Sequence, residues 1–305
     1  KMVNSPWKGQ CSPCPGVEKQ IRPYHFERSY KKLCTFQWQS GTEPNLWYLL
    51  WRWCLAVMFV TICIYSICNP TMRADNSNNS LWKWPAFLTN WAYVVCTIQA
   101  ILGLWIVQCS WINKTDPKDM NRQLPKVYHI YWAMNNLAVD MALVVSLIYW
   151  TLVHDSSVHR LDALNFLVHA ANSAMMMTDL FLVMHPTRLI YILNAFGLGI
   201  IYIVFSYIYF ALGGTDRDGR PFIYAALDWR KPGRAVCFTL LCLTILAVIH
   251  CVAYCFYRLR VRMAFNAKYP THLEIDCDTS SLANYGHKKM LYEINMYVNA
   301  CTSLN

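Results

Sequence analysis

The stretch Leu161–Arg188, LDALNFLVHAANSAMMMTDLFLVMHPTR, is apolar enough to lie in a bilayer, yet it carries Asn165, His169, Asn172 and Asp179. At about 100° per residue these four fall within roughly 40° of one line along a helix, with Met176 completing the row. An ionised side chain at mid-bilayer costs about 2.5 kcal/mol or more on insertion scales, so the stripe is expected to face protein or trapped water and not lipid. Two readings follow. One is a hydrogen-bonded seam between helices; the other is an active site or ligand pocket inside the membrane.

Outward from this segment, 56% of the 305 residues are hydrophobic and only 14% are charged. Soluble domains carry about 25% charged residues, so the class is an integral membrane protein, all-α. The formal charge of +10 is dispersed between apolar runs with no nucleic-acid module among them, so a membrane surface and not nucleic acid is the expected partner. Six runs match helices crossing about 30 Å of hydrocarbon, at 47–68, 84–109, 128–153, 161–184, 189–212 and 235–257. Trp47, Trp51, Trp53, Trp82, Trp84, Trp111, Trp150 and Trp229 cluster near their ends, where amphipathic aromatics prefer the headgroup zone. The chain then divides into a basic arm (1–46), a six-helix transmembrane domain (47–258) and a polar tail (259–305). With the amino terminus inside, the inner segments hold 18 Lys and Arg against eight in the outer loops, so both termini are expected in the cytoplasm. Arg52 remains within the first span.

The sequon Asn78-Asn79-Ser80 falls on the outer side, which makes Asn78 a glycosylation candidate. Cys11-x-x-Cys14 stands isolated before Pro15, open to zinc with unusually spaced partners or to acylation. Most other cysteines lie in the spans, where they pack as small hydrophobes. The loop at 213–234 is broken by Gly213, Gly214 and Gly219 and framed by Pro221 and Pro232, which suggests an ordered outer cap.

Within the spans, Asn135, Asn136 and Asp140 lie in the third, where Asp140 is expected to accept hydrogen bonds from a neighbouring helix. His250 stands alone among apolar residues of the sixth and reads as a packing histidine. In the second, Pro85 suits a first helical turn. Thr89 follows one turn in, on a stripe continued by Tyr93, Cys96, Ala100 and Gly103. A threonine hydroxyl becomes a nucleophile when a base takes its proton, and His is the usual base near neutral pH, so Thr89 and His169 are the candidate catalytic pair. The bland reading for Thr89 is a hydroxyl bonded to the preceding turn.

Leu88-Thr89-Asn90-Trp91, Ile148-Tyr149-Trp150-Thr151, Asn172-Ser173-Ala174, His185-Pro186-Thr187-Arg188, Gly213-Gly214-Thr215-Asp216-Arg217, Tyr224 and Leu227-Asp228-Trp229 together resemble the rolling stone proteins of animals. The similarity runs from about Trp47 to Tyr257. It implies a multi-pass protein, most naturally of the plasma membrane with the endoplasmic reticulum as the other choice, acting in myoblast fusion during muscle development. More distantly the chain resembles androgen-induced membrane hydrolases that cleave fatty acid esters of hydroxy fatty acids. By that likeness Thr89, in WKWPAFLT, stands for the nucleophile and His169 for the base. Val168 and Asn172-Ser173 depart from that family's pattern around the histidine. The implied reaction is attack of Thr89 on a lipid ester carbonyl, with Asn165, Asn172, Asp140, Asn136 and Asp179 as the supporting polar cavity and neither metal nor organic cofactor required. The alternative is a non-catalytic adhesion, fusion or scaffold protein that meets membrane lipids and a partner protein on an opposing cell.

Overall fold

The computed structural model describes residues 31–41, 43–68, 80–113, 126–153, 163–216 and 219–268. The packing below lies within the compact unit Glu27–Ala264; of the second unit, made of the two chain ends, only Phe265–Lys268 are described. The Asn78 sequon, Cys11, Cys14 and most of the tail fall outside the described residues.

The main helical segments are α1 (Leu46–Cys68), α2 (Leu88–Asn113), α3 (Lys126–Ile148), α4 (residues 163–182), α5 (Ile192–Ala211) and α6 (Pro232–Lys268). Among the described residues the only extended pairing is one isolated bridge, Phe36 with Val183. Five segments, Leu46–Cys68, Leu88–Ile112, Lys126–Leu152, Leu189–Ala211 and Pro232–Ala267, are long and apolar enough to cross a membrane. The fourth expected span, 161–184, is helical over 163–182 but is not among those five; its Asn, His and Asp residues lower its hydropathy.

The faces left exposed on α5 and α6 carry Leu193, Ile200, Ile201, Val204, Leu240, Leu241 and Val248, a composition suited to hydrocarbon. The protein-facing core is built from small and medium residues: Ala56 and Phe59 of α1, Cys96 and Ala100 of α2, Ala138 and Ala142 of α3, Met176 and Leu180 of α4, and Ala253 of α6. Small residues at these crossings let the backbones approach closely, which is how helices gain packing energy where burial from water is not available. The inward stripe Tyr93, Cys96, Ala100 predicted for the second span is fully enclosed.

Side-chain contacts fix the direction of each segment. Trp132, in the second turn of α3, donates to the carbonyl of Pro186 (2.6 Å) and stacks edge-on with Tyr191. At the other end of α3, Tyr149 lies flat on His169 of α4. Ser146 and Ser173 share a short hydrogen bond between these two contacts. α4 therefore runs antiparallel along α3 from Tyr149 to Trp132, about 26 Å of helix rise. The C-terminal end of α1 is joined to the segment before α2 by Trp84 donating to Ser66 (3.1 Å).

α4 is not one uniform helix. Ala163–Phe166 passes into a π turn, Leu167–Ala171, before α-helix resumes at Asn172–Leu182. The wider i→i+5 turn rotates whatever follows it, so residues spaced for a single line on an ideal helix no longer share one. α3 likewise ends in a π turn, Tyr149–Val153. The start of the second span also differs from expectation: Pro85 sits in a separate 3-10 turn, Trp84–Ala86, and the helix begins at Leu88. Thr89 is thus in the first turn of α2, directly after that 3-10 turn.

The C-terminal carbonyls of α4, which have no partner within the helix, are each accounted for. Asp179 O accepts from Val183 N, Leu180 O from the Arg260 guanidinium, Phe181 O from Trp38 Nε1 (2.9 Å) and Leu182 O from Gln37 N (2.8 Å). The donors come from α6 and from residues 35–39 of the arm, so that described part of the arm is packed against the bundle.

Candidate functional site

The polar residues predicted to share one cavity separate into three places. The first, toward the C-terminal end of α4, centres on Asp179, which is fully buried. Its carboxylate accepts from Arg52 Nη1 (3.1 Å), Trp51 Nε1 (2.9 Å), Gln99 Nε2 (3.2 Å) and Asn135 Nδ2 (3.3 Å), so α1, α2, α3 and α4 meet on one charge. Arg52 is equally buried; it donates to Tyr48 Oη (2.5 Å) and lies over the rings of Tyr48 and Tyr131. Gly103 makes room for this guanidinium, because a Cβ there would stand 3.2 Å from Arg52 Nη1 and 3.0 Å from the Tyr131 ring. This half of the stripe is a structural seam.

The second place is the middle of the bundle, where His250 Nδ1 meets Asp140 Oδ2 at 2.7 Å and His250 Nε2 lies 3.2 Å from Arg188 O. This corrects the reading of His250 as a packing residue. Asp140 is tied to His250 of α6 and does not support His169. His250 thus bridges the Asp140 carboxyl and the Arg188 carbonyl through its two ring nitrogens. Asn136 donates to Trp132 O (2.8 Å) within its own helix.

The third place is the end of the bundle where α3 finishes and α4 begins. His169 is buried and stacks on Tyr149 at 3.5 Å between ring centroids, with the planes 1° apart. Both rings sit on π turns, a local geometry that recurs at functional sites. Asn165, half-buried, is one helical turn before His169, and Asn172 is buried three residues after it.

Tyr149 also lines a partly open cavity of about 110 Å³ shared with Thr89. Its walls are Met141, Val144, Val145 and Ile148 of α3, Ala195, Gly199 and Ile203 of α5, Leu243 and Leu246 of α6, and Tyr224 and Leu227 of the outer loop. The volume is of the order of apolar cavities that stay dry and take up a benzene-sized guest. Thr89 opens onto it within hydrogen-bonding contact of Tyr224, whose hydroxyl also accepts from Leu88 N (3.1 Å). Burial raises the Tyr224 phenol above its ordinary value, so it remains a hydroxyl at physiological pH. Tyr202 Oη donates to Ala86 O (2.9 Å) and is in contact with the Tyr224 hydroxyl. Tyr149 links Thr89 and His169, since it lines the cavity with the one and stacks on the other.

The loop over this end is ordered as the glycine and proline pattern suggests. Lys83 reaches Thr215 Oγ1 (3.0 Å) and Asp216 O (2.8 Å), and Gly213 and Gly219 have φ of 79° and 78°. Gly214 passes so close to Tyr209 that a Cβ would lie 2.6 Å from its carbonyl oxygen.

Gln99 was not singled out from the sequence, Arg52 was noted only as lying within the first span, and His250 was read as a packing residue. Arg52 and Asp179 lie at similar depths from the inner ends of spans one and four, a signal that opposite charges in separate spans pair. Among the described residues no group of three or more His, Cys, Asp or Glu could hold a metal ion.

A family model described as Protein rolling stone matches residues 12–273. The Protein rolling stone of Drosophila melanogaster is 28% identical over 234 residues, covering 73% of this chain and 82% of the relative. No solved structure matches significantly.

Proposed function

The chain belongs to the rolling stone family, and from that premise we propose a six-span membrane protein of myoblast fusion whose outer end receives part of a lipid and acts on its ester through Thr89 and His169. The observation that carries this reading is the cavity beside Thr89. It is apolar, of a size for a hydrocarbon segment, and has a threonine hydroxyl on its wall at the end of the bundle where His169 is buried. In the proposed step, His169 takes the Thr89 proton as the hydroxyl oxygen attacks the ester carbonyl, and the alcohol leaves with that proton. Water then hydrolyses the acyl-threonine.

The six-span count is supported by the course of α4, which follows α3 between Tyr149 and Trp132 over about 26 Å, close to the hydrocarbon thickness of about 30 Å. Its one acidic group, Asp179, is paired with protein donors, which lowers the cost of a polar segment crossing. With six crossings both termini are cytoplasmic, and the loop at 212–231 faces outward at the plasma membrane.

A second reading is favoured by the Asp179 network: a non-catalytic fusion or adhesion protein whose stripe only fixes helix packing, its outer loop meeting a protein on the opposing cell. Lipid-ester hydrolysis by purified protein separates the two. Turnover lost in Thr89→Ala and in His169→Ala supports the enzyme. Equal turnover in all three proteins overturns it and leaves the second reading.

A further inference from the structure

The outer cavity has a second hydroxyl that helix geometry leaves unused. Within helices, Thr97, Thr178 and Thr244 each return their Oγ1 to the carbonyl four residues earlier, at 2.8, 2.8 and 2.9 Å. This is the ordinary fate of a threonine in an apolar helix, since no water is present to take the hydroxyl. Thr239 of α6 sits in the same setting and does not do so: its Oγ1 is buried and has no hydrogen-bond partner, and the residue lines the cavity. A buried hydroxyl without a partner is destabilising; Oγ1 itself is closed off from the cavity, and rotation between the two side-chain rotamers open to a helical threonine would turn it to a ligand atom there.

The rest of the lining defines what that ligand can be. Its polar side chains are all hydroxyls, those of Thr89, Thr239, Tyr149, Tyr202 and Tyr224, and no Lys, Arg, His, Asp or Glu is among the wall residues. A carboxylate or phosphate placed here would have no counter-charge, and an unpaired ion in an apolar site costs far more than a neutral polar group. We propose that the cavity is a site for an uncharged lipid, one whose free hydroxyl lies beside hydrocarbon, as in a diacylglycerol or a sterol, and that Thr239 is the residue that binds this polar group. This names the substrate class for the outer site and rests on the reading that the site takes up lipid. A hydroxyl both donates and accepts, so Thr239 can serve either partner of the bond.

The test uses the full chain in phosphatidylcholine vesicles containing, in separate arms, photoreactive cholesterol, diacylglycerol, fatty acid or phosphatidylserine. Labelling of α6 peptides around Thr239 is read by mass spectrometry. The expected result is labelling by the diacylglycerol, the sterol or both, reduced about three- to tenfold in Thr239→Val and kept in Thr239→Ser. Equal thermal unfolding of the variants excludes a folding effect. Labelling by the anionic fatty acid or phosphatidylserine as strong as by the uncharged lipids, or unchanged labelling in Thr239→Val, overturns the proposal. The outcome is separable from that of the hydrolysis assay. Thr239-dependent labelling without ester turnover leaves the neutral-lipid site standing and removes the enzyme, whereas Thr89-dependent turnover that prefers anionic esters and ignores Thr239 does the reverse.

Discussion

Replacing Arg52 with Met leaves the Asp179 carboxylate fully buried and without its cation, and the size of the resulting loss can be worked from the contacts. Three neutral donors, Trp51, Gln99 and Asn135, remain on the carboxylate. They soften the charge but do not cancel it. Removing one partner of a buried pair costs about 3–5 kcal/mol, a large part of the 5–15 kcal/mol that separates folded from unfolded domains. The Tyr48 hydroxyl also loses its guanidinium partner. Replacing both members, in Arg52→Met with Asp179→Leu, removes the charge imbalance, and substitution of a buried pair by apolar residues is often neutral. The double variant is therefore expected to be more stable than Arg52→Met alone, with a coupling of about 2–3 kcal/mol in the cycle. Reversible unfolding in mixed micelles, monitored by tryptophan fluorescence, measures all four corners. Because the pair is buried, its coupling should hardly change between low and high salt. Single-variant losses under about 1 kcal/mol, the value for exposed pairs, or strict additivity of the two substitutions, would refute the account of this seam.

Asp140→Leu is expected to destabilise the bundle by about 3 kcal/mol or more, since it strands His250 between a hydrocarbon group and the Arg188 carbonyl; thermal unfolding checks it, and His250→Leu in the same chain should recover part of the loss. Gly214→Ala must displace the Tyr209 carbonyl and ring, so the outer loop should become protease-sensitive in intact cells while the helices keep their far-ultraviolet spectrum. Asp228 is held below the ordinary carboxylate range by the hydrogen bonds it accepts from Arg230. Its folded value is the depressed one, so its contribution is complete above the unfolded carboxylate pKa of about 4. It is lost as pH falls through the lower folded value. Hydrogen exchange of the turn at 228–231 should therefore stay slow down to about pH 4 and rise only below it, and Asp228→Asn should remove that dependence.

How much of this was legible in the sequence depends on which physical signal each residue carries. The five long apolar helices are plain from hydropathy, because a bilayer admits few other backbones. The inward turn of Asp179 follows from the cost of its charge, and the partner of that charge could have been found by matching the depth of Arg52. The partnership of Asp140 with His250 rests on the same kind of signal, two mid-span ionisable groups on separate helices, and periodicity on a single helix cannot reveal it. The division of the α4 stripe was not legible: the π turn at Leu167–Ala171 adds a local rotation that no 100° wheel contains. Thr89 was reachable through resemblance, but its place in the first turn of α2 depends on Tyr224 from a distant loop satisfying Leu88 N. Thr239, flanked by apolar residues, gave no sign at all, since an unmade hydrogen bond exists only in three dimensions.

The most direct measurement of the central claim, that the polar segment 163–182 crosses the membrane with its hydrophilic groups turned inward, is the sidedness of the two termini in intact cells. Reporters fused to the amino and carboxyl ends, each complemented by a fragment expressed in the cytosol, are both expected to light up, because an even number of crossings puts the ends on one side and the excess of Lys and Arg makes that side the cytosol. One terminus inside and one outside would mean five crossings and would contradict the account.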